Sequence, residues 1–441
     1  MQTCDLILAA HWVAPVDGQR RLIENGAVVI DGGRIAAVDT QDAITAQWDA
    51  RKRVDRPDAL LTPGFVNAHT HAAMALFRGI ADDVPLDTWL NQHIWPLEAQ
   101  HVTPDFVRDG TRLAMAEMLR GGITCFNDMY FFPDVVAEAV IEARMRASIG
   151  LIVIDFPTVW ADDPDGYLKK AVAVYDSHAR HPLVSFQFAP HSPYAVSEET
   201  LARVRVQADQ LDIGVHTHLH ETAAEVANHV ADRDERPFSQ LDRQGFVNQT
   251  LLAAHMVHID EDEIARAGAS GMSVVHCPES NLKLASGMAP VTALVDAGVN
   301  VALGTDGAAS NNDLCLIGEM RTAALLAKAE SGNARSLPAE TVLEMATING
   351  ARALGIDADT GSLEPGKWAD ITCIALDRPH TTPCPDPLST LVYAAGNGDV
   401  SDVWVAGRAV LEQRKLVTID EDAVLSRARD WAARFGTQNT A

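Results

Sequence analysis

The chain is predicted to be an α/β protein: a (β/α)8 TIM-like barrel carrying a small β-sandwich built from both termini. Two observations carry this prediction. Eight apolar, β-type runs recur through the middle of the 441 residues, with helix-type stretches between most of them; strands that read as continuous apolar runs belong to a parallel sheet covered on both faces. Both ends are instead short β-type runs punctuated by Gly and Pro, which signals turns rather than helical crossovers.

At the N-terminus, "DLILAAHWVAP" and "GAVVIDGGRIAAVD" are strand-like, and Asp31-Gly32-Gly33 turns the second back on itself as a hairpin does. The middle series runs "LLTPGFVNAHTH" (60–71), "ITCFNDM" (123–129), "SIGLIVIDF" (148–156) and "LVSFQFAPHS" (183–192). It continues with "IGVHTHLHE" (213–221), "LLAAHMVHI" (251–259), "MSVVHCPES" (272–280) and "VNVALGTDG" (299–307). Helices are expected at 104–120, 133–145, 197–210 and 313–330. After about residue 360, "GSLEPGKWADITCIAL" and "SDVWVAGRAVLEQRKLV" return to short strands. The expected division is therefore 1–59 with 361–425 as the sandwich, 60–360 as the barrel, and 426–441 as a C-terminal helix or tail. Eight such units close most naturally into a barrel, whose catalytic groups lie at the C-terminal ends of its strands. His69/His71, His191, His218, His255 and Asp306 all fall there.

Composition narrows the partners. The formal net charge is −25, with no cluster of Lys or Arg to offset it, which argues against nucleic-acid and anionic-membrane partners. The six cysteines are scattered without a C-x-x-C pair; reduced thiols in a cytoplasmic protein are the expected state. "MQTCDLILAAHWVAP" has no basic n-region, so it is not expected to act as a signal peptide, and no apolar run reaches the length of a membrane span.

His69 and His71 stand at i and i+2, so in a strand both imidazoles face one side. Alone, H-x-H describes a pair of hydrogen-bonded core histidines as readily as a metal site. "GVHTHLHE" supplies His216, His218 and His220 on alternate positions; His216 lies one layer deeper and is expected to be structural. His218 then makes a third ligand and Asp306 of "ALGTDGAASN" a fourth, and three nitrogens with one carboxylate suit a catalytic zinc that lowers the pKa of a water. The strand "LVSFQFAPHS" contains no lysine to be carbamylated between two ions, which favours one metal per subunit. Iron and manganese suit the same donors.

His255 is positioned to steady or polarise a water, against the plainer reading of a satisfied core histidine. Glu221 is at the rim as a candidate proton donor. Glu98 follows "PLDTWLNQHIWPL", an aromatic-rich loop containing Trp89 that suits a pocket wall; on composition alone it is equally a solvated carboxylate. His101, His178, His181, His229 and His380 sit in polar surroundings and read as surface. P-C-x-x-C, G-x-G-x-x-G and P-loop patterns are absent, so neither the small Cys-ligated deaminase fold nor nicotinamide or ATP use is suggested.

These residues resemble the amidohydrolase superfamily, and specifically its 5'-methylthioadenosine/S-adenosylhomocysteine deaminase family. The matching pieces are "PGFVNAHTHAAMALFRGIADDVPLDTWLNQHIWPLE", "APHSPYAVS", "HTHLHET", "HMVHID", "HCPESNLKLASG" and "GTDGAASNN". The resemblance implies one zinc held by His69, His71, His218 and Asp306, and hydroxide attack on the amine-bearing carbon of an adenine ring. Asp306 would move the water's proton to the leaving ammonia, Glu221 would protonate a ring nitrogen, and His255 would steady the attacking oxygen. Glu98 and His191 would hold the ribose, and Ser310 would lie near the base. A purine nucleoside substrate and a homodimer or higher homo-oligomer are the partners expected.

One departure bears on specificity. The resembling enzymes that accept S-adenosylhomocysteine carry an arginine after the third strand, whereas residues 147–179 here hold only Lys169 and Lys170. Phe156, Val159 and Trp160 form an apolar set there that suits a methylthio group. The competing readings are a sibling deaminase of a free purine base such as guanine, a triazine hydrolase, and a non-catalytic scaffold.

Overall fold

The structure, a computed structural model, describes residues 1–436. Its N-terminal strands are β1 (Gln2–Val13), β2 (Ile23–Asp31), β3 (Arg34–Thr40) and β4 (Trp48–Pro63). The barrel strands are β5 (Phe65–Thr70), β6 (Ile123–Asp128), β7 (Arg146–Val153), β8 (Val184–Pro190), β9 (Gly214–Leu219), β10 (Leu251–His255), β11 (Ser273–His276) and β12 (Asn300–Leu303). Four short strands follow: β13 (Ile371–Ala375), β14 (Val400–Val405), β15 (Arg408–Glu412) and β16 (Lys415–Leu416).

Strands β5 to β12 pair in sequence order, parallel throughout. The remaining seam, between β12 and β5, is closed near its top by Asp306 N–H donating to His69 O at 3.0 Å and by Asn67, which accepts from Thr305 N at 3.0 Å. Gly304 permits that approach, since a Cβ there would stand 2.9 Å from His69 N. The crossover helices begin where the local chemistry allows. Thr103, Asp163 and Ser197 each cap one by accepting a backbone N–H, and Pro104 and Pro164 occupy first-turn positions that need no donor.

The terminal strands form one sheet in the order β16-β15-β14-β13-β4-β1-β2-β3. The expected sandwich is thus a single hydrogen-bonded sheet folded over itself. Leu8, Val28 and Ile30 of one half share a buried core with Ile371, Cys373 and Trp404 of the other.

Two expectations are corrected. The run 60–71 is not one strand: Leu60–Pro63 ends β4 in the terminal sheet, and only Phe65–Thr70 belongs to the barrel. Gly64 makes the change of sheet, pressed so closely on Thr124 that a Cβ would lie 2.1 Å from its Oγ1. The C-terminal helix begins at Glu421 rather than 426 and runs to Gly436; the expected tail 437–441 lies outside the described residues. Among the described residues, no helix is long and apolar enough to cross a membrane.

Candidate active site

His69 and His71 flank the end of β5, His218 lies in β9, His255 ends β10, and Asp306 follows β12. Asp306 Oδ1 stands 3.3 Å from Nε2 of both His69 and His71, and His71 Nε2 stands 3.3 Å from His218 Nε2. His69, His71 and Asp306 form one set of donor atoms, and His69, His218 and His255 another, each within 4.8 Å. Asp306 and His255 hold left-handed backbone, φ 60° and 76°, a strained conformation for side-chain-bearing residues that concentrates at functional sites.

The hydrogen bonds say what these donors await. His71 Nδ1 lies 2.6 Å from Met129 O, and His218 Nδ1 lies 2.7 Å from His191 O. A carbonyl only accepts, so both Nδ1 atoms carry the hydrogen. In the neutral rings both Nε2 atoms are then lone pairs facing each other, which repel unless a cation lies between them. His69 Nε2 is likewise buried without a hydrogen-bond partner. Three imidazole nitrogens and a carboxylate fit a divalent metal cofactor.

Burial and the Asp306 carboxylate set the charges of the cluster, and with no ion bound they place a proton on His71 Nε2 where a cation would otherwise sit. Burial opposes ionisation of Asp306, yet the adjacent rings of His69 and His71 hold its carboxyl well below the usual range. Burial also opposes charge on His71, but Asp306 carries that ring up to about 9. Burial alone prevails at His69, which falls to about 4, and at His218, which falls well below its ordinary value. Behind this layer, His216 Nε2 lies 2.9 Å from His69 Nδ1, the deeper supporting place expected of it.

A cavity of about 490 Å³ opens over the cluster. Its walls include Trp89, Trp95, Phe131, Ile154, Phe156 and Val159, and among the described residues no Lys or Arg lines it. Glu221, Glu98, His191 and His255 also face it. Burial raises the carboxyl of Glu221 to about 7, with His255 Nε2 at 3.9 Å. Burial raises Glu98 to about 7 as well, against the hydroxyl that Tyr130 donates to its Oε1 at 2.8 Å. His191 is pushed down to about 3 by burial and therefore stays neutral.

Not every expected residue reaches the cavity. Ser310 sits behind Asp306, donating its hydroxyl to Oδ2 at 2.9 Å, and is not part of the lining. Trp160 turns away to pack edge-on against Phe132, with Lys170 over its face. Trp95, four residues from Ala99 on the same wall, joins Phe156 instead, with ring centroids 6.0 Å apart. His229 is buried rather than on the surface, His101, His178 and His181 are half-buried, and His380 is exposed. Sequence reasoning missed Tyr130 and Asn281. "NDMYFF" did hold a tyrosine just past a strand end, where Tyr130 meets Glu98. Asn281 meets His255 from "HCPESN", and only its place after β11 hinted at the site.

A family model described as the amidohydrolase family matches residues 60–410. The chain belongs to the amidohydrolase family. It is 44% identical over 436 residues to a "5-methylthioadenosine/S-adenosylhomocysteine deaminase" of Teredinibacter turnerae, covering 99% of each chain. Among solved structures, a zinc-bound adenosine deaminase of Xanthomonas campestris superposes with a TM-score of 0.98 at 50% identity, covering 99% of each chain. A zinc-complexed atrazine chlorohydrolase of Arthrobacter aurescens is more distant, at TM-score 0.90 and 25% identity, covering 97% of this chain and 99% of that one.

Proposed function

We propose that the protein is a zinc-dependent hydrolytic deaminase that converts 5'-methylthioadenosine to 5'-methylthioinosine and ammonia. Adenosine is a further substrate and S-adenosylhomocysteine a poor one. The observation that carries this reading is the floor of the cavity: three inward histidine nitrogens and Asp306 converge there, with Glu221 and His255 alongside. The near-full-length deaminase relatives support it.

His69, His71, His218 and Asp306 hold the ion, which when bound supplies Lewis acidity that lowers a water's pKa towards 7. Glu221, raised to about 7 by burial, is protonated in a large fraction of molecules at neutral pH and gives that proton to the ring nitrogen beside the amine-bearing carbon. Asp306, ionised, takes a proton from the attacking water. His255 holds the oxygen as it adds to that carbon. Asp306 returns the proton to the amine as the C–N bond breaks, and the remaining hydroxyl gives its proton back to Glu221 as the carbonyl forms, so water enters and ammonia leaves. Glu98 and neutral His191 hold the ribose hydroxyls. Phe156, Val159 and Trp95 receive the methylthio group on a wall without a cation for an amino-acid carboxylate. The six free thiols support a reducing, cytoplasmic setting, and a two-fold homodimer is the proposed assembly, being the commonest closed form.

The deciding experiment follows loss of the adenine chromophore with methylthioadenosine, adenosine, S-adenosylhomocysteine and guanine in parallel. The highest kcat/KM is expected for methylthioadenosine. A highest value for S-adenosylhomocysteine would overturn the specificity reading, and turnover of guanine alone would overturn the ribose roles of Glu98 and His191.

A further inference from the structure

The strand β11 ends without contributing a ligand, yet the single helical turn after it, Pro278–Lys283, reaches two members of the centre. Ser280 Oγ donates to Asp306 Oδ2 at 2.7 Å. Asn281 Oδ1 lies 2.9 Å from His255 Nδ1. Both side chains are fully buried, and the turn is held at each end by backbone bonds, Asn281 N to Cys277 O and Ser286 N to Asn281 O.

We propose that Ser280 and Asn281 are a pair of positioning residues that orient Asp306 and His255 together; this rests on the roles given to those two groups above. An amide oxygen only accepts, so the bond from Asn281 puts the hydrogen of neutral His255 on Nδ1 and leaves its Nε2 lone pair facing the cavity. Hydroxyls from Ser280 and Ser310 occupy Asp306 Oδ2, while Gly307 N–H donates to Oδ1 at 2.8 Å. The carboxylate cannot then rotate, and Oδ1 stays turned towards His69 and His71. One turn of helix thereby sets a ligand's orientation and a neighbouring histidine's tautomer at once.

The test measures kcat, KM, zinc affinity by chelator competition, and melting temperature in S280A, S280T, N281L and N281D. Partners of this kind are worth about 10- to 100-fold in metal affinity or activity. S280A is expected to lose that much in both zinc affinity and kcat, with S280T recovering most of it. N281L is expected to lose that much in kcat alone, with KM and zinc affinity unchanged, and N281D, which keeps an acceptor, to recover most of the loss. Nitrogen-15 spectra of histidine-labelled protein should place the His255 hydrogen on Nδ1 in the unaltered chain and lose that preference in N281L. Unchanged zinc affinity in S280A overturns the serine's role. Equal losses in N281L and N281D with matching falls in melting temperature, or zinc lost with activity in N281L, overturn the asparagine's. If the unaltered protein binds zinc but deaminates no nucleoside, the proposed function fails, and the chelator and nitrogen-15 measurements still decide this one.

Discussion

At the end of the barrel that faces the terminal sheet, Arg146 is buried but fully engaged. It forks onto Asp370 at 2.8 and 3.3 Å and donates to Pro182 O, while Asp370 also accepts from Thr360 and from Ala406 N. At the opposite end, inward nitrogens stand open: His69 Nε2 is buried without a hydrogen-bond partner, and Nε2 of His71 and of His218 face each other at 3.3 Å. The same strands run between the two ends, so burial alone does not set them apart. One end pairs its buried arginine and carboxylate within the chain and serves cohesion. The other withholds partners from its donors, which is costly in a stable core and sensible where an external cation completes the set.

Removing a group from the open end should abolish chemistry before it harms the fold. His218→Ala is expected to lower kcat/KM by roughly three orders of magnitude or more, the scale of a Lewis acid's contribution. Metal analysis should show the lost ion, and retained zinc with retained activity would break the comparison. Glu221→Gln sharpens it: kcat should fall by about 10²- to 10⁴-fold, the range for general acid–base groups, while metal content stays intact. The paired end should respond in the opposite currency. Arg146→Met strands Asp370 and is expected to cost about 3–5 kcal/mol of stability, read by denaturant unfolding, with KM of the folded enzyme unchanged.

The smallest expected effect concerns Glu98. Its carboxyl is raised to about 7 from an ordinary 4.5 by burial. Between those values the unfolded chain releases its proton first, so this group's contribution falls as pH rises through that window and is most unfavourable above pH 7. The full penalty is about 3 kcal/mol at about 1.4 kcal/mol per pH unit. Glu98→Gln removes it, so the variant should match the unaltered protein near pH 4.5 and exceed it in melting temperature at pH 8, while losing nucleoside affinity. A variant less stable at pH 8 would contradict the burial argument.

Much of the site was legible because its spacing obeys local geometry. His69 and His71 at i and i+2 had to share a side of their strand, and Asp306 had to follow the eighth apolar run. What resisted reading was side-chain direction in loops. Trp160 and Trp95 were both aromatic neighbours of an expected pocket, yet only Trp95 lines it. Ser310 lies four residues past Asp306, where a short helix turns its hydroxyl back onto the carboxylate rather than outward. The break at Gly64 was hidden for a related reason: apolar residues on either side of it look alike in sequence while pairing with different sheets.

The sequence by itself determined the eight-fold alternation, the β character of both ends, and the identity of the groups gathered at the strand tips, because strand periodicity and residue chemistry are local. Only the tertiary structure decided which of those groups are paired and which are left open. Tyr130 reaches Glu98, Asn281 reaches His255, and Arg146 reaches Asp370 across 32, 26 and 224 positions of chain. A hydrogen bond depends on where two atoms meet in space, and that is settled when the barrel closes.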